Sequence, residues 1–217
     1  MAALMNPARA DLRVYLLLEA LQPQFAAYLG TPTRARGYPP QAGQHSLIIE
    51  IAPGLIIERV LDLALKANPD LEPGILFVER QFGILEIHGN SPEQLLQAGQ
   101  AMLSGLGLGA ADQLAPKIVY TDVIEDIADQ HAVIINRNRQ ASMILPGETL
   151  LIVEMVPALY AAIAANEAEK AAPGLTLVDV QMIGAAGRLY MSGATAQVRQ
   201  GLAAIESTLA AIPGRAA

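Results

Sequence analysis

The side chains able to do acid–base, nucleophilic or metal chemistry in this sequence are few and scattered. His45, His88 and His131 are far apart and show none of the short spacings of a zinc site. There is no cysteine, which removes disulfides, thiolate ligands and a thiol nucleophile. No G-x-S-x-G, Walker A or dinucleotide G-x-G-x-x-G motif occurs. GLGLG at 105–109 follows no strand and reads as a linker. Asp122, Glu125 and Asp126 are expected on a solvated face rather than around a cation. Glu50 and Glu154 interrupt apolar runs and are expected as structural carboxylates hydrogen-bonded near a helix start. Without a nucleophile–base pair or a ligand set, an enzyme is not expected, nor a metal or other cofactor. The remaining charged feature is Glu79-Arg80, set between two apolar runs.

The elements that position these residues come in duplicate. LIIEIAPGL (47–55) aligns with LIVEMVPAL (151–159), 104 residues later, and at that offset 13 of 44 positions are identical. Glu50 meets Glu154, Pro53 meets Pro157, Lys66 meets Lys170, and Gly83 meets Gly187. The preceding segments echo each other too, with Val14-Tyr15 opposite Val119-Tyr120. Such self-similarity sets the architecture before any other signal. The predicted domains are 12–112 and 113–217 after a tail at 1–11, with the boundary in GLGLGAADQLAP (105–116).

Each copy reads as an apolar strand (12–18; 118–124), a second extended run (Phe25–Leu29; His131–Asn136), a loop, and a third strand at LIIEI or LLIVEM. A helix then opens at Pro53 or Pro157 and stops before Pro69 or Pro173. In the first helix Leu55, Val60, Leu63, Ala64 and Ala67 form the apolar face. Two strands follow (75–78 and 84–88; 177–182 and 188–191). Ser91-Pro92-Glu93-Gln94 starts the last helix of the first copy as a capping box, and Thr195 is expected to cap its counterpart. The class is α+β.

Composition sets limits. Of 217 residues 53% are hydrophobic but only 4% aromatic, and the net charge is −7. No basic stripe marks a nucleic-acid surface. The longest apolar stretch, 150–165, is broken by Glu154 and Pro157, so no membrane span is expected.

EIAPG (50–54), a helix ending in ALKA (64–67), and the strand–Gly turn–strand–helix that follows resemble the bacterial microcompartment (BMC) shell domain. The strands in front, as in DLRVYLLLEALQPQFAAYLG (11–30), resemble its circularly permuted form. FVERQFG (77–83), HAVIINRNRQASMILPG (131–147) and AANEAEKAA (164–172) resemble the tandem, gated-pore shell proteins of carboxysomes, although the long N-terminal extension of the alpha-carboxysome member is missing. The resemblance implies two tandem circularly permuted, ferredoxin-like BMC domains in a pseudohexameric homotrimer. That trimer would sit in a cytoplasmic compartment shell, tile with hexameric and pentameric shell proteins, and stack in pairs.

The resemblance also places Glu79, Arg80, Gln81, Phe82 and Gly83 at the central axis as a gate. Ile183, Gly184, Ala185, Ala186 and Gly187 form the uncharged second-domain loops that leave room for it. Carboxylates and guanidiniums gathered at one axis can pair across subunits or swing apart. A guanidinium ring favours anions, such as ribulose bisphosphate or phosphoglycerate. Lys66, Lys170 and Arg137 are implied at the tile edge. Both lysines also complement a helix C-terminus. In the first copy Gly30 stands where the counterpart of Arg137 would be. The alternatives are the shell of a non-carboxysome catabolic compartment, or a trimeric ferredoxin-like ligand-binding regulatory protein.

Overall fold

The computed structural model describes residues 10–31 and 37–216 apart from the side chain of Glu79, so the gate role expected of that side chain lies outside what is described. Most of the tail expected at 1–11, and 32–36 of the Pro-rich loop, lie outside the described residues. The first unit runs β1 (Asp11–Leu18), α1 (Pro23–Leu29), β2 (His45–Ala52), α2 (Ile56–Ala67), β3 (Glu72–Glu79), β4 (Phe82–Gly89) and α3 (Pro92–Leu106). The second runs β5 (Lys117–Ile124), α4 (Asp129–Asn138), β6 (Thr149–Val156), α5 (Tyr160–Ala171), β7 (Thr176–Gln181), β8 (Gly187–Gly193) and α6 (Thr195–Ala211). Among the described residues these make two four-stranded sheets, ordered β1-β2-β4-β3 and β5-β6-β8-β7, with antiparallel pairing throughout. No helix among them is long and apolar enough to cross a membrane.

Strand alternation decides which helices each sheet carries. On β2, Leu47, Ile49 and Ile51 join Ile57 and Val60 of α2 and Leu95 and Met102 of α3 in one core. Ile48, between them, joins Val14, Leu16 and Leu18 on the opposite face. That face is covered by Phe25, Ala26 and Leu29 of α1 and by α5 of the second unit, which joins the same core through Leu159, Ala161 and Ala165. The core of the second unit is therefore continuous with one face of the first sheet. The corresponding face of the second sheet packs Leu150, Val178 and Tyr190 against Ala132 and Ile135 of α4.

Polar contacts fix the junction between the units. Glu169 of α5 accepts hydrogen bonds from the backbone N–H groups of Gln24 (2.9 Å) and Phe25 (3.1 Å). It satisfies the otherwise orphaned donors at the start of α1. Asn166 accepts from Gln22 N–H at 2.9 Å. The Gln24 amide donates to Leu175 O (2.7 Å) and accepts from Leu177 N–H (2.8 Å), pairing with that backbone as a strand would.

Several local expectations are corrected. Phe25–Leu29 and His131–Asn136 are helical, within α1 and α4, not extended. The first starts at Pro23, where the missing N–H is harmless. Pro53 and Pro157 follow cis peptide bonds and precede their helices, which begin at Ile56 and Tyr160. Leu55 is outside the α2 core face and is 75% exposed. Ser91 caps α3 through Gln94 N–H as expected. Thr195, by contrast, is the first residue of α6 and bonds the Thr149 hydroxyl at 2.7 Å.

Glu50 and Glu154 are paired carboxylates, but not at helix starts. Glu50 holds Arg13 (2.7 Å) and Glu154 holds Arg188 (2.9 Å). Val14 pairs with Glu50 and Tyr120 with Glu154. Val14 is thus the counterpart of Tyr120, not of Val119, and the front strands are one residue further out of step than the sequence echo suggested.

Candidate functional site

The turn between β3 and β4 consists of Arg80 and Gln81, with Glu79 paired to Phe82. Arg80 has φ +52°, in the left-handed region that costs a non-glycine residue energy and is concentrated at functional sites. Arg80 and Gln81 are exposed. Gly83 follows because nothing larger fits: a Cβ there would lie 2.1 Å from Gly54 O and 2.6 Å from Ile57 Cβ. At Gly187 the clash would be with Ala158 O at 2.2 Å. The two glycines retained at the repeat offset therefore seat each turn on the loop that opens α2 or α5. A cavity of about 450 Å³ flanks the first turn, bounded by Asp11, Pro53, Leu55, Val78, Arg80 and Gln81.

The equivalent turn of the second unit spans 182–186 and carries no charge. Met182 is buried, Ile183, Gly184 and Ala186 are half-buried, Ala185 is exposed, and Gly184 has φ +135°. The duplicated fold thus puts both predicted segments at the same place on their sheets, charged in one copy and bare in the other.

Lys66 and Lys170 stand in the last turns of α2 and α5, where they complement the helix dipole. Lys66 pairs with Asp62 at 2.6 Å and Lys170 with Glu167 at 3.9 Å. Such exposed pairs add little stability, which leaves both amines available at the surface. Arg137 is exposed in the last turn of α4. Among the described residues no group of three or more His, Asp or Glu is arranged to hold a metal ion.

One participant is invisible in the sequence pattern. Arg13 is the extra residue of a β-bulge in β1, where the register shifts between Leu12 and Val14. Its guanidinium lies 3.8 Å from the ring centroid of Phe82 while its Nε donates to Glu50. The Glu50 carboxylate is 1% exposed, and burial raises its pKa above the ordinary value, partly offset by the Arg13 hydrogen bond and charge.

The first-unit fold, a permuted sheet carrying its strand–turn–strand between two helices, is matched by a family model described as the CsoS1D N-terminal domain over residues 12–112. The chain is 43% identical over 205 residues to the carboxysome shell protein CcmP of Synechococcus elongatus, covering 94% of each. It is 40% identical to the carboxysome shell protein CsoS1D of Hydrogenovibrio crunogenus, covering 92% of this chain and 96% of the relative. Among solved structures, the double-ringed trimeric shell protein MSM0271 from the RMM microcompartment superposes with a TM-score of 0.92 at 60% identity, over 96% of this chain and all of that one. The fused permuted hexameric shell protein MSM0275 from the same compartment gives 0.89 at 46%, over 94% and 99%.

A tandem pair of permuted BMC domains is the class of protein that this fold and these turns define. The chain belongs to the family of carboxysome shell proteins CcmP and CsoS1D, and is a structural protein rather than an enzyme.

Proposed function

We propose that the chain tiles a microcompartment shell in the cytoplasm as a homotrimer, and that the β3–β4 turns of three copies gate a central pore. The units are taken as 12–112 and 113–217, because Leu114 and Ala115 pair with Arg215 at the C-terminus of the second unit. The observation that carries the assembly is a contact made once within the chain and left open at both ends. Leu159 is fully buried against the first sheet, while its counterpart Leu55 is 75% exposed. Val14 and Leu16 are buried under α5, while their register counterparts Tyr120 and Asp122 face solvent. Placing the Leu55 face of one copy on the Tyr120 face of the next repeats the internal contact and closes a ring of alternating units.

At the axis the arginines favour anions. Rearranging Glu79 and Arg80 between copies would open or shut the pore. The preference for anions makes metabolites such as ribulose bisphosphate and phosphoglycerate the candidate cargo. The 60% identity to an RMM-compartment trimer favours a second reading, in which the same tile serves a non-carboxysome shell. The double-ringed relative supports stacking of two trimers. Arg80→Ala is expected to raise the fraction of open pores in image classes of purified protein while trimers persist. Loss of the trimer on that substitution would contradict a gate. Shells containing the chain that exclude labelled ribulose bisphosphate would decide for the second reading.

A further inference from the structure

Both copies carry the same backbone device beside the turn: a bulge at Arg13 in β1 and one at Val119 in β5. A bulge re-aims the side chain of its extra residue and is commonly found next to functional sites. In the second copy that residue is Val119, 47% exposed, the turn has Ala186 in place of Phe82, and Glu154 takes its cation from Arg188 on the adjacent strand. In the first copy, Ile84 occupies the position of Arg188 across from Glu50. The cation must then come from the bulge, and the same guanidinium that neutralises Glu50 lies flat against Phe82. The bulge is anchored by Leu114 N–H donating to Arg13 O at 3.0 Å.

We propose that Arg13 is the positioning residue of the charged turn: held by Glu50 beneath it, it clamps Phe82 and so sets the resting position of Arg80 and Gln81. This rests on the gate reading for its purpose but not for its geometry. The pairing is specific to the copy whose turn is charged. A cation stacked on an aromatic face and hydrogen-bonded to a buried carboxylate is a stronger restraint than either contact alone. Release of the turn then requires Phe82 to leave the guanidinium, while the Gly83 seat on Gly54 stays as the pivot.

The absence of native cysteine allows a clean probe. A spin label on Gln81→Cys reports turn mobility in assembled protein, and one on Ala185→Cys serves as control. Arg13→Ala is expected to raise the mobile population at 81 on the order of tenfold, from loss of one cation–π contact and one charged hydrogen bond, without changing the label at 185. Arg13→Lys keeps a charge for Glu50 and is expected to recover thermal stability but not the immobile spectrum. Phe82→Leu leaves the Arg13–Glu50 pair intact and should release the turn as well, which decides the matter if Arg13→Ala fails to assemble. An unchanged spectrum at 81 in Arg13→Lys and Phe82→Leu would overturn the proposal. Increased mobility with unaltered passage of anionic tracers through assembled shells would remove the gate reading and leave the role of Arg13 standing.

Discussion

Glu50 shows how one residue records both burial and pairing. Its environment disfavours the charged form, and Arg13 only partly compensates. The folded chain therefore binds that proton more tightly than the unfolded chain. Stability from this group is present below the ordinary value of 4.5 and is lost as pH rises from there through the raised folded value. Glu50→Gln is expected to flatten that portion of the denaturation-midpoint profile, measured by urea unfolding at a series of pH values. An unchanged slope would mean that the carboxylate is better solvated than its burial indicates. A lone glutamate in an apolar strand was enough to mark a structural carboxylate in the sequence, but not its place away from a helix start. Its partner was not legible, because Arg13 lies 37 positions away and reaches Glu50 only through the bulge. Gly83 and Gly187, by contrast, were legible from the repeat alone, since any side chain there would strike backbone.

At the scale of elements, the strands, the two long helices of each unit, the proline stops of α2 and α5 and the Ser91 cap follow from the sequence pattern, whereas the starts of α2, α5 and α6 do not. The short helices α1 and α4 do not. FAAYL offers apolar residues over little more than one turn, too few to separate a helical period from a strand. In α4, Val133 and Ile134 are about half exposed, so one chain's core does not account for the pattern. What makes α1 helical is tertiary: Glu169, about 145 residues away, accepts its first free N–H groups. Glu169→Ala is expected to cost about 2–3 kcal/mol of unfolding free energy, the scale of a lost charged cap. Hydrogen exchange at Gln24 and Phe25 should accelerate. A loss under about 0.5 kcal/mol would show that the cap is replaceable by water.

The whole molecule is a duplicated unit whose copies differ, among other positions, at the β3–β4 turn and at the face between units. The second divergence makes one contact permanent, within the chain, through Asn166 and Glu169. In the contact proposed between chains, Asp62 and Leu65 stand at those positions. Leu55→Asp should therefore dissociate the trimer by sedimentation velocity without unfolding the monomer, since Leu55 contributes little to its own core. An intact trimer would mean that this face is not the contact. In the proposed assembly the chain's internal unit-to-unit contact, repeated between copies, builds a ring with the β3–β4 turns at its centre. Electron cryomicroscopy of the purified protein tests it most directly. A trimer of nearly sixfold outline is expected, with three Arg80–Gln81 turns around the axis alternating with the bare 183–187 loops. A stable monomer, or a ring with those turns on its outer rim, would contradict it.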